Sequence, residues 1–504
     1  MTEAPASYKK FRKVISELSF EDSFAATWAF SQAKQLRNFS FPTDVERHPS
    51  FMEDGPRQPY PWQLETVLRE VVLRGADVSV KGKSLKKWTD LANAVNALRA
   101  LEDAIHEPIL GADNVLLEML RVGHQQFLWQ QLPNRAMTAR YYRIFKDPEI
   151  DALCEKTTRL SVHKIYAIGS ALWGHYSSKA FLKLPWSSRN SVITNEDIVA
   201  FIELCGIEVY ELRQIIRASH KLDDTFPYDN RFVRAWPLIS FRKCGEEILA
   251  CPLPTLLFWR FTSGLYYDLT CNDAFFNAFG ASFQRYVGDV FARALAGTSL
   301  EARAEEKYGT KKKPKDTVDW TVLGADAAVF VECKSKRLSI DAKTNLVSRE
   351  ALERDLGILA DAICQTYKTI AEYKADRYPT LRFDENRKIY PVVVTLENWF
   401  PHGQLVADEI ERQLKIKLDE ANIPRDVLVE MPYVLASCDE VEEVAQIIAQ
   451  VGIRTFFERR QDERYRGWLL DSFISDAFGD ERRVAVNLFA ETYDEILQPF
   501  LSAA

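Results

Sequence analysis

Apolar positions recurring every three to four residues dominate the first half of the chain. They predict helices over 7–18, 21–36, 62–74, 85–105, 114–131, 136–145, 150–176 and 195–219. Glu196 and Asp197 fall in the first turn of the last of these, where acids suit the helix dipole. Between 41 and 61 the pattern stops, and Pro42, Pro49, Gly55, Pro56, Pro59 and Pro61 mark a loop. No repeat period is present, so a regular solenoid is not supported. After Lys221 the chain turns polar. Two short strands are expected at 232–241 and 247–251 around a turn at Lys243–Gly245, ended by Pro252 and Pro254.

The second half alternates the two periodicities. Phe276, Phe279, Phe283, Val287 and Val290 predict an amphipathic helix over 273–295. A short strand at 300–308, a basic loop at 311–315, and strands at 318–323 and 327–334 around a turn at 324–326 follow. Leu352, Leu356, Leu359, Ile363, Tyr367 and Ile370 mark a long helix. Strand 388–396, helix 406–421, strand 427–436 and helix 441–451 complete the series. The expected architecture is multidomain: a mainly helical region at 1–221, a connecting segment with a short hairpin at 222–272, and an α/β domain at 273–504 with helices flanking a mixed sheet.

Composition narrows the picture. At 504 residues the prior is two or three domains, and a hydrophobic fraction of 47% rules out wholesale disorder. Against 72 acidic residues stand 65 basic ones, a formal charge of -7, so nucleic-acid contact must come from a local basic face. No apolar run approaches the ~20 residues of a membrane span, and 1–10 lacks a signal-peptide core; no membrane and a cytoplasmic location are expected. The eight cysteines form no Cys-x-x-Cys and read as reduced thiols. Gly75 and Gly82-Lys83-Ser84 have the wrong spacing for a phosphate-binding loop, and His106-Glu107 lacks the second histidine of a zinc protease, since position 110 is Leu. The aromatics around Trp129 and over Trp173–Tyr176 read as core ahead of base-stacking platforms.

Chemistry concentrates between Asp319 and Lys334. On the expected hairpin, Asp319 lies within about a residue of the point opposite Glu332. Glu332 and Lys334 share a face of their strand, while Val329, Val331 and Cys333 take the other. Two carboxylates and an ammonium at the end of an apolar strand are costly unless they serve one another or a metal. A hard cation, Mg²⁺ or Mn²⁺, suits Asp319, Glu332 and the backbone carbonyl of Cys333. Lys334 is expected to stay protonated, positioning a water and stabilising charge on a phosphate. Lys311, Lys312, Lys313, Lys315 and Lys336 flank this stretch and are the expected phosphate contacts.

Asp319, Glu332-Cys333-Lys334 and the helix-strand-strand-strand-helix-strand order over roughly 273–451 resemble the PD-(D/E)XK nuclease superfamily, the restriction-endonuclease-like fold. Val318 stands where the literal motif has Pro. The resemblance implies a metal-dependent endonuclease acting on DNA ahead of RNA, with Asp319 and Glu332 on the metal and Lys334 assisting attack. It further implies a role for Gln284 on the preceding helix, for Glu305 or Glu306 on the strand before Asp319, and, more weakly, for Gln365 on the following helix. By analogy the chain would be a prokaryotic restriction or antiviral defence effector. Its helical half would then recognise substrate, bind a protein partner or join subunits. The alternative is a catalytically inactive module of the same fold that binds nucleic acid or a protein, a reading prompted by Gln284, where many active members carry an acid.

Overall fold

The computed structural model describes residues 3–36, 39–48, 58–108, 115–187, 192–310, 312–339, 342–343, 349–399 and 404–501. The chain divides into two compact units, 1–275 with 491–504, and 276–490. The division falls in the first turn of the helix Asp273–Ala294, and the helix Glu491–Leu501 groups with the first unit.

The first unit is mainly helical. Pro61–Arg74 is its centre, with every residue from Gln63 to Leu73 buried. The charges it carries inward are matched. Glu65 pairs with Arg234 at 2.5 Å, Glu70 with Arg69 at 3.1 Å, and Arg69 also donates to the carbonyls of Phe226 and Asp229. Such pairs add little net stability, but losing one partner strands a buried charge. Two of the helices expected from periodicity are broken. The stretch 150–176 splits into Pro148–Thr158 and Val162–Tyr176, because Arg159 takes a left-handed φ of 64° and Ser161 caps the second helix. The stretch 195–219 splits at the strand β2, Gly206–Glu208, after which the Glu208 side chain caps Val209–Ser219.

A four-stranded sheet completes this unit, in the order β1 (Phe181–Lys183), β4 (Glu246–Ala250), β3 (Leu238–Lys243), β2. The turn between β3 and β4 places Cys244 and Gly245 at φ 50° and 81°, the geometry that suits a two-residue hairpin. The strand expected at 232–241 is shorter than its composition suggests, since Arg231–Ala235 is helical. Trp129 and Tyr176 are core residues: Trp129 packs on Trp259 with ring centres 4.7 Å apart, and Tyr176 is fully buried. Lys83 and Ser84 are held by Asp90 and Asp22, so the glycine-lysine-serine stretch is tied to side chains of its own unit.

The second unit is built on a five-stranded mixed sheet, in the order β11 (Val434–Ser437), β10 (Lys388–Thr395), β9 (Ala327–Lys334), β8 (Trp320–Leu323), β5 (Glu301–Ala304). β9 runs parallel to β10 and antiparallel to β8. One face carries Val329, Val331, Val392 and Val394 against Phe291, Val441, Ile448 and Phe456. On the other face Phe330 meets Tyr373 of the helix Arg349–Lys374 at 5.1 Å. The stripe expected on that helix is buried throughout, from Leu352 to Ile370. On Asp273–Ala294, Phe279, Phe283, Val287 and Val290 are buried but Phe276 is 46% exposed.

Three other expectations are corrected. The strand expected at 300–308 is two strands in different sheets: β5, and β6 (Lys307–Thr310), which pairs with β7 (Lys313–Asp316). Residue 311 lies outside the described residues; Lys312 is in a turn, and 313–315 belong to the second strand of a hairpin, because their backbone pairs with 308–310. The stretch 427–436 is a strand only from Val434. Val427–Glu430 closes a helical turn on Asp426, and Val429 is 85% exposed, so its β-branched side chain gains nothing from an extended backbone.

Candidate active site

The hairpin of β8 and β9 pairs Trp320 with Val331 and Leu323 with Ala328. Carried one residue further, that register sets Asp319 opposite Glu332. The ladder opens there, and Asp319 Oδ2 instead accepts a hydrogen bond from the Cys333 N–H at 2.6 Å. On the other side, β5 pairs Ala304 with Trp320, and the Glu305 N–H donates to the Asp319 carbonyl at 2.9 Å. Glu305, Asp319 and Glu332 thus form a row across three neighbouring strands. Opposed residues share a face, so the three carboxylates belong to one face of the sheet.

Lys334 lies two residues beyond Glu332 on the same face. Its Nζ sits 2.8 Å from Glu332 Oε1, with the lysine side chain 34% exposed and the glutamate 10%. The strand carries them because residues 327–331 are buried on both faces and anchor it between β8 and β10. The Lys334 carbonyl accepts from Leu396 N–H on the β10 side. Successive residues of a strand aim their backbone groups at opposite neighbours, so the Cys333 carbonyl faces the Asp319 side with its N–H.

Electrostatics follow from this geometry. Burial, and then the charge of Glu332, lift the Asp319 carboxyl to about 7; Glu305 adds to the rise, while the Cys333 N–H and Lys334 oppose it. Burial works against the charge of Lys334, but Glu332 and Asp319 outweigh it and hold the ammonium above its ordinary value. That direction favours the charged form of Lys334. Burial pushes the Cys333 thiol well up, so what this residue offers the site is its backbone.

The donor set suits a hard divalent cation. Glu332 Oε1 is engaged by Lys334, and among the described residues Glu332 Oε2 and Asp319 Oδ1 accept no hydrogen bond. The carboxylate row raises the proton affinity of Asp319, and a cation would lower it. Among the described residues no group of three or more His, Cys, Asp or Glu side chains is arranged to hold a metal ion.

The other expected residues divide into those brought to the row and those not. Gln284 lends its carbonyl to Trp320 Nε1 at 2.9 Å, tying the helix to Trp320, but no hydrogen bond among the described residues joins its amide to Asp319, Glu332 or Lys334. Trp320 fits there because Gly288 leaves room; a Cβ at 288 would lie 2.0 Å from its ring. Glu306 turns away to accept from Thr380, which leaves Glu305 as the acid beside Asp319. Gln365 is exposed on its helix. Lys312 and Lys336 are exposed, and Lys315 is exposed but paired with Glu372 at 2.6 Å. Lys311 and the side chain of Lys313 lie outside the described residues.

Sequence reasoning did not single out Glu397. It follows β10 and accepts from Arg337 at 3.0 Å and Lys343 at 2.6 Å, clamping the chain that leaves β9 just after Lys334. A lone acid past a β-branched run carries no signal of this kind, since both partners are remote in sequence. No protein-family model, no curated protein and no solved structure matches the chain.

Proposed function

We propose that the second unit is a metal-dependent nuclease of the PD-(D/E)XK type, hydrolysing phosphodiester bonds of DNA. The observation that carries this reading is the meeting of Asp319, Glu332 and Lys334 on one face where β8 and β9 part. Asp319, Glu332 and the Cys333 carbonyl would hold Mg²⁺, or Mn²⁺ in its place, supplying an acidified water and charge neutralisation on a phosphoryl oxygen.

The chain's own groups do the rest. The Lys334 ammonium orients the attacking water and meets the negative charge that grows on the phosphate. The water oxygen bonds to phosphorus as the bond to the departing sugar oxygen breaks. The water's proton leaves through solvent, and the departing oxygen regains one, so one water is consumed and one P–O bond is exchanged for another. Glu305 keeps the row negative at its open edge, which favours a cation there over a bare phosphate.

The test is incubation of the purified full-length chain with DNA and RNA in Mg²⁺, Mn²⁺ or EDTA. Cutting that requires metal and disappears in Glu332→Gln is expected. Metal-dependent cutting that survives Lys334→Ala unchanged would refute the assigned roles. Binding that persists in EDTA, with no cutting under any metal, would instead favour an inactive module of the same fold.

A further inference from the structure

The hairpin of β6 and β7 is a two-stranded ribbon separate from the five-stranded sheet. It is inserted between two members of the carboxylate row, since β6 begins two residues after Glu305 and β7 ends three residues before Asp319. Its base is stitched to the row. Besides the Glu305 N–H to Asp319 carbonyl bond, Thr317 N–H donates to the Glu306 carbonyl at 3.0 Å and Glu306 N–H to Thr317 Oγ1 at 2.8 Å.

The pairing assigns the ribbon's two faces. Tyr308 stands opposite Lys315, and Gly309 opposite Pro314. The Tyr308 face is braced on the unit: Tyr308 lies 5.9 Å from the Tyr378 ring, and Lys315 is paired with Glu372. The other face presents Lys307, Gly309, Pro314 and Asp316, all exposed, and exposed Lys312 marks the tip. Gly309 and Pro314 allow close approach there, between Lys307, which stands opposite Asp316 at the base, and Lys312 at the tip.

Resting on the reading of the adjoining row as a phosphodiester site, we infer that this ribbon enters the major groove of duplex DNA and holds the duplex across the site. A two-stranded ribbon fits a B-form major groove, which is about 12 Å wide. Five residues of extended chain from Glu305 to the end of β6 reach roughly 17 Å, enough to bring the tip lysine to the far wall while the near strand lies at the carboxylates. A single strand offers no second wall. The major groove of duplex RNA is too narrow and deep for side chains to read. The ribbon therefore selects duplex DNA, and its brace fixes its direction before binding.

The experiment measures binding of the full-length Asp319→Asn variant, which holds DNA without cutting it, to a labelled duplex DNA, to one of its strands and to duplex RNA, over a range of salt. The expected order places duplex DNA tightest. Adding Lys307→Ala and Lys312→Ala is expected to weaken duplex DNA about tenfold and to flatten its salt slope by about 2, at about 0.9 per phosphate contact, with single-strand binding unchanged. Both lysines are exposed, so folding is not at stake. Unchanged duplex affinity, or equal loss on both forms, overturns the ribbon's role; if the wild-type chain still cuts DNA with metal, the reading of the carboxylate row stands. Ribbon-dependent duplex binding with no cutting under any metal upholds the ribbon and removes the hydrolytic reading. No binding to any nucleic acid overturns the ribbon's role, and if the wild-type chain also cuts none with metal it removes the reading of the carboxylate row as well.

Discussion

The Cys333 backbone N–H donates to Asp319 Oδ2 at 2.6 Å, across strands whose regular ladder has already ended at the Trp320–Val331 pair. This bond holds one carboxylate of the row to the backbone between Glu332 and Lys334. It also gives the Asp319 carboxylate a fixed orientation.

Cation binding is expected to depend on both carboxylates. Titrating the wild-type chain with Mn²⁺ in a calorimeter should give a heat that Glu332→Ala and Asp319→Asn each abolish, with cleavage falling about 1000-fold, the several kcal/mol that a metal supplies. A heat unchanged by either substitution would place the cation elsewhere.

For Lys334, the expected result is a loss of about 100- to 1000-fold in cleavage rate for Lys334→Ala, with metal affinity kept or raised because Glu332 is released from its ion pair. Lys334→Arg should recover part of the rate, since it keeps the charge. A rate that rises with deprotonation of the lysine would contradict its role as a cation.

Stability of the metal-free chain should fall as pH rises through the Asp319 titration. Its folded carboxyl titrates near 7, above the ~3.9 of an unfolded aspartate. The folded state therefore binds the proton more tightly, and the associated stability is complete below about 4 and lost by about 8. At about 1.4 kcal/mol for each tenfold change in proton affinity, the loss is at most about 4 kcal/mol. Asp319→Asn should flatten this slope in thermal melts at pH 5 and pH 8, while Mg²⁺ restores stability to the wild type alone.

Glu305 and Glu306 are adjacent in sequence but face different surroundings. Glu305→Gln should lower the Asp319 titration and reduce cleavage, because its charge contributes to the Asp319 rise. Glu306→Gln should change cleavage by less than about twofold, since its carboxylate is taken by Thr380. The pH profiles of both variants discriminate; equal effects would contradict the row.

Gly288→Ala is expected to cost at least about 1–3 kcal/mol by overpacking, because the new Cβ would lie 2.0 Å from the Trp320 ring. Displacement of Trp320 should shift its fluorescence and loosen Asp319 beside it. An unshifted melting temperature would show that the ring moves aside freely.

Much of the site was legible because it is local. The two-residue period of any strand puts Glu332 and Lys334 on one face, and the short turn before 327 brings Asp319 opposite, since a hairpin's register follows from its turn. The stripe from Leu352 to Ile370 was readable for the same reason, as helical periodicity records which side is buried. What composition could not decide were choices settled by distant partners. Glu305 stands beside Asp319 because β5 pairs with β8, and Glu397 clamps the end of β9 because Arg337 and Lys343 fold back onto it. The stretch 427–430 closes a helical turn although rich in valine, and Val429 is left exposed. Sequence patterns carry periodicity and turn register, whereas the lateral order of strands and the pairing of remote charges depend on contacts that exist only once the chain has folded.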